Sequence, residues 1–220
     1  MNKINITLPD NSVHEHNSGV SALDIAKSIG ERLSMSTVAA TVNDVLVDAT
    51  KPINEDASVV IHTADSKIGH DVLLHSAAHL MAQAVKKLWP NSQMTIGPVI
   101  ENRFYYDFDI DGTFSDEDLS KIEDEMRNIA KQNHEVFRHE LDRDDAVKIF
   151  SDLNEFYKIE IINDIEDSDQ ISAYKQGEFI DLCRGPHVPF TGNIKYFKLL
   201  TTSGAYWRGD EKNKMLQRIY

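Results

Sequence analysis

One cysteine in 220 residues leaves Cys183 without a disulfide partner, so a reducing, cytoplasmic setting is expected. No run of apolar residues approaches the roughly 20 needed to span a bilayer. The start, Met1-Asn2-Lys3-Ile4-Asn5-Ile6, alternates as a strand does and lacks the apolar stretch of a signal peptide. There is no internal repeat and no low-complexity stretch. Basic residues are scarce: 23 Lys and Arg face 36 Asp and Glu, a formal net charge of −13. That balance does not describe an obvious nucleic-acid binder, because phosphate contacts use Lys and Arg. The deficit is uneven. Residues 195–220 carry Lys195, Lys198, Arg208, Lys212, Lys214 and Arg218 against Asp210 and Glu211, a local net of +4. Acid concentrates in 107–125 and 140–169, where it reads as solvated helix faces and loops.

What is present, 41% hydrophobic residues, suffices for one large domain or two small ones. Residues 3–8 alternate as a strand, Pro9-Asp10-Asn11 turns, and a second strand follows over 12–16. Ser21-Ala22-Leu23-Asp24 reads as a capping box opening a helix that Gly30 ends. Residues 38–42 and 45–47 form a hairpin about Asn43-Asp44, and 59–63 a last strand. Residues 1–63 are therefore read as a small β-grasp, ubiquitin-like domain. Residues 64–69 read as a linker. Apolar spacing predicts a helix over 70–88, stopped by Pro90. Strands are predicted over 94–99 and 103–108, an acidic helix from Ser115 to Asn133, a strand over 136–141 and a helix over 144–153. Further strands are predicted over 158–162, 179–183 and 195–202. The expected class is α+β, with a larger domain over 64–220 that has a mainly antiparallel sheet and packed helices.

His75 and His79 stand four apart and share one helix face, a spacing that suits metal binding or proton transfer. Among nine histidines such a pair is unremarkable alone. The small residues Ser76, Ala78 and Ala82 nearby leave room beside the imidazoles. In Asp181-Leu182-Cys183-Arg184-Gly185-Pro186-His187, Cys and His lie four apart across a Gly-Pro turn. Together the two segments give His, His, Cys and His. That set matches zinc ligand types and equally suits an acid–base pocket.

His75-Ser76-Ala77-Ala78-His79 followed by Cys183-Arg184-Gly185-Pro186-His187 resembles the editing domain shared by threonyl- and alanyl-tRNA synthetases. Gly97-Pro98-Val99-Ile100, Phe104-Tyr105-Tyr106-Asp107, Gly204-Ala205-Tyr206-Trp207-Arg208-Gly209-Asp210 and the closing Asn213–Tyr220 resemble the threonyl version. Residues 1–63 resemble that family's leading β-grasp module, the TGS domain. The resemblance covers essentially the whole chain and is to the N-terminal part of the bacterial-type enzymes. It implies hydrolysis of mischarged seryl-tRNA(Thr). Serine lacks one methyl of threonine, which a binding pocket rejects by only about 1–3 kcal/mol, so a second, hydrolytic site is needed.

By resemblance the pocket gathers His75, His79, Tyr106, Lys158, Asp181, Cys183 and His187, with backbone at Gly97. His75 and Lys158 are expected to position or deprotonate a water, and Asp181 to hold the substrate's α-ammonium. His79, Cys183 and His187 are expected to shape the pocket and hold the terminal ribose. Arg184 and the basic C-terminal segment are expected along the acceptor arm of tRNA. No metal is expected to be required, although zinc would find ligands in His75, His79, Cys183 and His187. ATP, Mg and Zn are expected only in the full-length, homodimeric enzyme, whose aminoacylation core is absent here. The fragment itself is expected to be monomeric. Two other readings stay open: a non-enzymatic tRNA-binding or regulatory module, and a zinc-dependent aminoacyl-ester hydrolase.

Overall fold

The computed structural model describes residues 2–220. In the first module, β1 (Lys3–Thr7) and β2 (Val13–Asn17) form an antiparallel hairpin. Alternation along β1 buries Ile4 and Ile6 and exposes Lys3 and Asn5, the period-two pattern of a sheet with one covered face. The short β3 (Val20–Ser21) leads into α1 (Ala22–Ile29). The Ser21 side chain accepts from the Asp24 N–H at 3.2 Å, and the Asp24 carboxylate accepts from the Ser21 N–H at 3.1 Å, which satisfies two donors at the helix start. A second helix, α2 (Glu31–Ser36), was not anticipated and follows Gly30 directly. Then come β4 (Thr37–Val42), β5 (Val45–Asp48), β6 (Pro52–Ile53) and β7 (Ala57–Thr63). The sheet order β2-β1-β7-β4-β5, with β1 and β7 parallel, is that of a β-grasp, and α1 covers one face, with Ile25 in one core with Ile4, Ile6 and Val59.

The second part is built on α3 (Lys67–Leu88). It starts three residues before the apolar stripe does, because Ser66 accepts from the Gly69 N–H at 3.0 Å and caps it. Short strands β8 (Gln93–Met94), β9 (Val99–Ile100), β10 (Arg103–Phe104) and β11 (Tyr106–Asp109) follow. After them come α4 (Asp116–Gln132), β12 (Val136–Leu141), α5 (Arg143–Asp152), α6 (Phe156–Asp164), β13 (Ile171–Gln176), β14 (Phe179–Leu182), β15 (Thr202–Tyr206) and β16 (Met215–Ile219). Two antiparallel sheets result, β15-β16-β11-β8 and β12-β13-β14, beside the small β9-β10 pair. The main core joins α3, α4 and the first of these sheets through Met81, Phe108, Met126 and Ile219. Val38 and Ala39 of β4 belong to the same cluster, so the two parts share apolar surface.

The α+β expectation, with a TGS-like module first, is the architecture observed. Several local expectations are corrected. Residues 158–162 are helical, inside α6: Lys158 and Ile162, four apart, turn one buried face inward, while the isoleucine-rich spelling mimics a strand. Residues 195–201 form no strand. Ile194 and Leu199 anchor this stretch in the core, and the Leu199 N–H is bound by the Glu123 carboxylate at 2.9 Å rather than by a ladder. The strand begins at Thr202 and pairs with β16. The predicted strands 94–99 and 103–108 are broken into four short pieces, leaving 95–98 irregular. Ala78 and Ala82 are wholly buried in the main core and do not widen any pocket.

Candidate active site

The helix α3 carries His75, Ser76 and His79. β14 carries Asp181, and the turn after it carries Cys183 and His187. β11 supplies Tyr106 and α6 supplies Lys158. The irregular 95–98 segment lays Gly97 against the Tyr106 ring, where an added Cβ would sit 2.2 Å from a ring carbon. Gly97→Ala is therefore expected to destabilise the chain by about 1–3 kcal/mol through overpacking, read as a lowered urea midpoint at constant slope. An unchanged midpoint would show that the ring has room to yield.

Two groups of side chains meet here. In the first, Cys183 Sγ lies 3.3 Å from His75 Nε2 and 3.2 Å from His187 Nε2, and accepts from the Gly185 N–H at 3.3 Å. Ser76 donates its one proton to the Val72 carbonyl at 2.8 Å and accepts from the Val188 N–H at 3.0 Å. Its 3.1 Å contact with His187 Nδ1 therefore places the imidazole proton on Nδ1. His187 thus turns an unprotonated Nε2 toward the thiol, whose single proton serves either that ring or His75. The ligand atoms of His75, His79, Cys183 and His187 all lie within 4.8 Å of one another.

The second group is an ion pair. Lys158 Nζ lies 2.6 Å from Asp181 Oδ1 and donates to the Thr95 carbonyl at 2.6 Å and to the Tyr106 hydroxyl at 2.8 Å. Two of the ammonium's donors are thus hydrogen-bonded, and the contact with Asp181 Oδ1 is one of charge, without hydrogen-bond geometry. The Tyr106 hydroxyl donates to Asp181 Oδ2 at 2.7 Å, and His79 Nδ1 stands 3.2 Å from the same oxygen. Asp181 is completely buried; its Oδ2 accepts from Tyr106, and its Oδ1 has the Lys158 ammonium as a charged neighbour but no hydrogen bond. Holding a substrate α-ammonium would require Lys158 or Tyr106 to yield an oxygen.

Burial sets the protonation states. Desolvation pushes the His79 and His187 pKa values well below the ordinary histidine value, with neighbouring imidazoles, and for His79 Lys158, acting in the same sense. His75 is also lowered by burial, against opposing effects of Asp181 and the Pro186 carbonyl. The Cys183 thiol is pushed up to about 12, again by burial, and stays protonated at neutral pH. Tyr106 is raised well above the usual phenol range by burial and by Asp181. The site is thus a cluster of neutral imidazoles and a thiol beside one buried ion pair. His75 alone of the three rings is not fully buried.

His75, His79, Tyr106, Lys158, Asp181 and Cys183 line a pocket of about 380 Å³, walled by Ile96, Ile161 and Ile171, with His187 behind them. A larger groove of about 860 Å³ is lined by residues such as Met35, Leu73, Phe104 and Leu200. None of the ionisable groups described above reaches it, so the chemistry places the site in the smaller pocket.

Every site residue expected from the sequence lies in or beside this pocket. Arg184 stands at its rim with a largely exposed side chain, 3.4 Å from Asp169. The basic C-terminal segment is different. Lys198 pairs with Glu123, Arg208 with Glu160 and Asp164, Lys214 with Asp109, and Arg218 with Asp107, so most of its charge is met within the chain. Three contributors were not legible. The Thr95 carbonyl has no side-chain signature. Buried Glu155, at the start of α6, accepts from the Met94 N–H at 2.9 Å and lies 2.5 Å from Lys86 Nζ, fixing the helix that carries Lys158. Asp48 reaches the site from the first module.

Two family models match the chain: the TGS domain over residues 4–63 and the threonyl and alanyl tRNA synthetase second additional domain over 171–220. These matches define a region of an aminoacyl-tRNA synthetase, a β-grasp module followed by that additional domain. Among its relatives are the threonine–tRNA ligases of Geobacillus sp. (strain WCH70), 52% identical over 99% of the chain, and of Clostridium tetani (strain Massachusetts / E88), 51% identical over 99%. That of Geobacter sp. (strain M21) is 50% identical over the whole chain. The chain belongs to the threonyl-tRNA synthetase family and spans about a third (34%) of the length of these relatives. No helix among the described residues is long and apolar enough to cross a membrane.

Proposed function

We propose that residues 64–220 form an editing domain that hydrolyses the ester of mischarged seryl-tRNA(Thr). The observation that carries this reading is a partly open imidazole, His75, in a pocket whose other ionisable groups are fixed by mutual hydrogen bonds. His75, its Nε2 turned from Cys183 toward the pocket, takes a proton from a water whose oxygen attacks the ester carbonyl carbon. The carbonyl–ribose oxygen bond breaks, and the ribose oxygen takes up a proton, giving serine and free tRNA. Lys158, hydrogen-bonded to Thr95 and Tyr106 and paired with Asp181, supplies a fixed positive charge near the developing oxyanion and acts through position rather than as a base. Tyr106 and Asp181 hold it there, and Gly97 and Tyr106 form the wall against which the amino acid's size is judged. His79, Cys183 and His187 shape the ribose end, and Arg184 at the rim meets phosphate.

A second reading is favoured by the imidazole–thiol quartet. Its donor types suit zinc, although ligand atoms around a tetrahedral zinc sit only about 3.3–3.8 Å apart, so the quartet would have to contract. His75, His79, Cys183 and His187 would hold the ion, which would supply Lewis-acid activation of water. As it stands the quartet is spread wider, its ligand atoms up to 4.8 Å apart, and its groups are engaged with neighbours in the chain. We therefore take the hydrolysis to need no metal, and assign ATP, Mg and Zn to aminoacylation by the family's full-length, homodimeric ligases. Seryl-tRNA(Thr) incubated with the chain in EDTA is expected to lose its serine. Loss only after zinc addition would establish the second reading, and no loss under either condition would leave a tRNA-binding module.

A further inference from the structure

The turn that carries Cys183 and His187 is not held by its own domain alone. Asp48, the last residue of β5 in the first module, is 9% exposed and reaches across the boundary. Its Oδ1 accepts from the His187 backbone N–H at 2.9 Å, and its Oδ2 accepts from the Tyr174 hydroxyl at 2.8 Å. The Tyr174 ring stands edge-on to the His187 ring, with centroids 4.4 Å apart. Arg138 donates to the same hydroxyl at 3.2 Å and to the Arg184 carbonyl at 2.7 Å. The turn is thus gripped at both ends, at His187 directly and at Arg184 through Tyr174 and Arg138. Gly185 lies against Tyr174 so closely that a Cβ there would fall 1.8 Å from the phenol oxygen, and its φ of +72° also suits glycine.

We propose that Asp48 is a positioning residue for the hydrolytic pocket, so that the β-grasp module completes the site from outside the domain that carries the chemistry. This rests on the deacylase reading. A carboxylate is costly to bury, and packing alone would be better served by an apolar residue. What the carboxylate provides is two directional, charge-assisted hydrogen bonds onto a turn whose side chains meet at 3.2 Å, Cys183 Sγ to His187 Nε2. Displacement of a reacting geometry by about 1 Å costs on the order of a hundredfold in rate.

The test uses the full 220-residue chain with Asp48→Ala and Asp48→Asn, asparagine keeping one acceptor for the His187 N–H. Single-turnover and steady-state deacylation of seryl-tRNA(Thr) separate kcat from KM. Asp48→Ala is expected to lower kcat by roughly 10–100-fold with KM within about twofold, and Asp48→Asn to recover most of that loss. In parallel, ¹⁵N NMR of the free protein follows the His187 amide and the His75 and His187 ring nitrogens. These signals are expected to move in Asp48→Ala and to return toward wild type in Asp48→Asn. Wild-type kcat in Asp48→Ala, or unmoved ring signals, would overturn the proposal. If Asp48→Ala fails to fold, Asp48→Asn decides by the same two readouts, and a tenfold or greater loss of kcat with unmoved His187 signals would count against it. If the wild-type chain releases no serine, the deacylase reading fails, and unmoved NMR signals would refute the positioning role independently.

Discussion

Replacing Lys158 with methionine is expected to destabilise the protein by about 3–5 kcal/mol, because it strands a buried carboxylate. The ammonium is almost fully buried and lies 2.6 Å from Asp181, which has no exposure of its own. With the cation gone, Asp181 keeps only Tyr106 and His79 as neighbours, and the Thr95 carbonyl loses its donor. The double variant Lys158→Met/Asp181→Asn is expected to regain a large part of the lost stability, since removing both charges of a buried pair is far milder than removing one. Hydrolysis should be absent in both. Urea denaturation of the four proteins in the cycle gives the coupling energy. A single-variant cost below about 1 kcal/mol, or no recovery in the double variant, would show that the pair is not the buried anchor described.

Acidification is expected to unfold the protein from an unusually high pH. His75, His79 and His187 are held neutral by burial in the native state, whereas the unfolded chain binds protons at the ordinary histidine value near 6.5. Their folded pKa values are lowered, so the unfolded state carries the extra protons as pH falls. Stability is therefore fully present above about pH 6.5 and is lost below it. Three such groups give a slope of at most about 4 kcal/mol per pH unit. Asp48 opposes this, because burial raises its carboxyl pKa, but it is one group against three. Urea midpoints at pH 7.5, 6.5 and 5.5 should fall steeply over the last interval. A midpoint that holds steady or rises there would contradict the assignment of neutral, buried imidazoles.

The helices with strong end signals were legible because their caps are local chemistry. Ser21 with Asp24, and Ser115 with Asp118, spell reciprocal hydrogen bonds that the structure contains. The 22-residue α3 was legible from its apolar period, and with it the pairing of His75 and His79 on one face. The helix α6 was misread because Ile159, Ile161 and Ile162 look like a strand, while the burial of Lys158 opposite Asp181 depends on tertiary packing. The strand β13 was missed because it is buried on both faces and so shows no alternation. Cys183 and His187 were legible as a motif, and their convergence with α3 followed from family resemblance rather than spacing. Asp48 was beyond reach, since its partners lie 126 and 139 residues away and nothing near it marks the contact. In the basic C-terminal segment the composition was legible but the pairing was not: Lys198, Arg208, Lys214 and Arg218 meet Glu123, Glu160 and Asp164, Asp109, and Asp107 within the fold.

The most direct test of the central claim is a side-by-side deacylation of seryl-tRNA(Thr) and threonyl-tRNA(Thr) by the 220-residue chain in EDTA, with His75→Ala alongside. The account predicts rapid loss of serine, threonine spared, and at least a hundredfold slower serine release by the variant, the order expected for losing a general base. Equal rates on both esters, or an undiminished rate in His75→Ala, would contradict it.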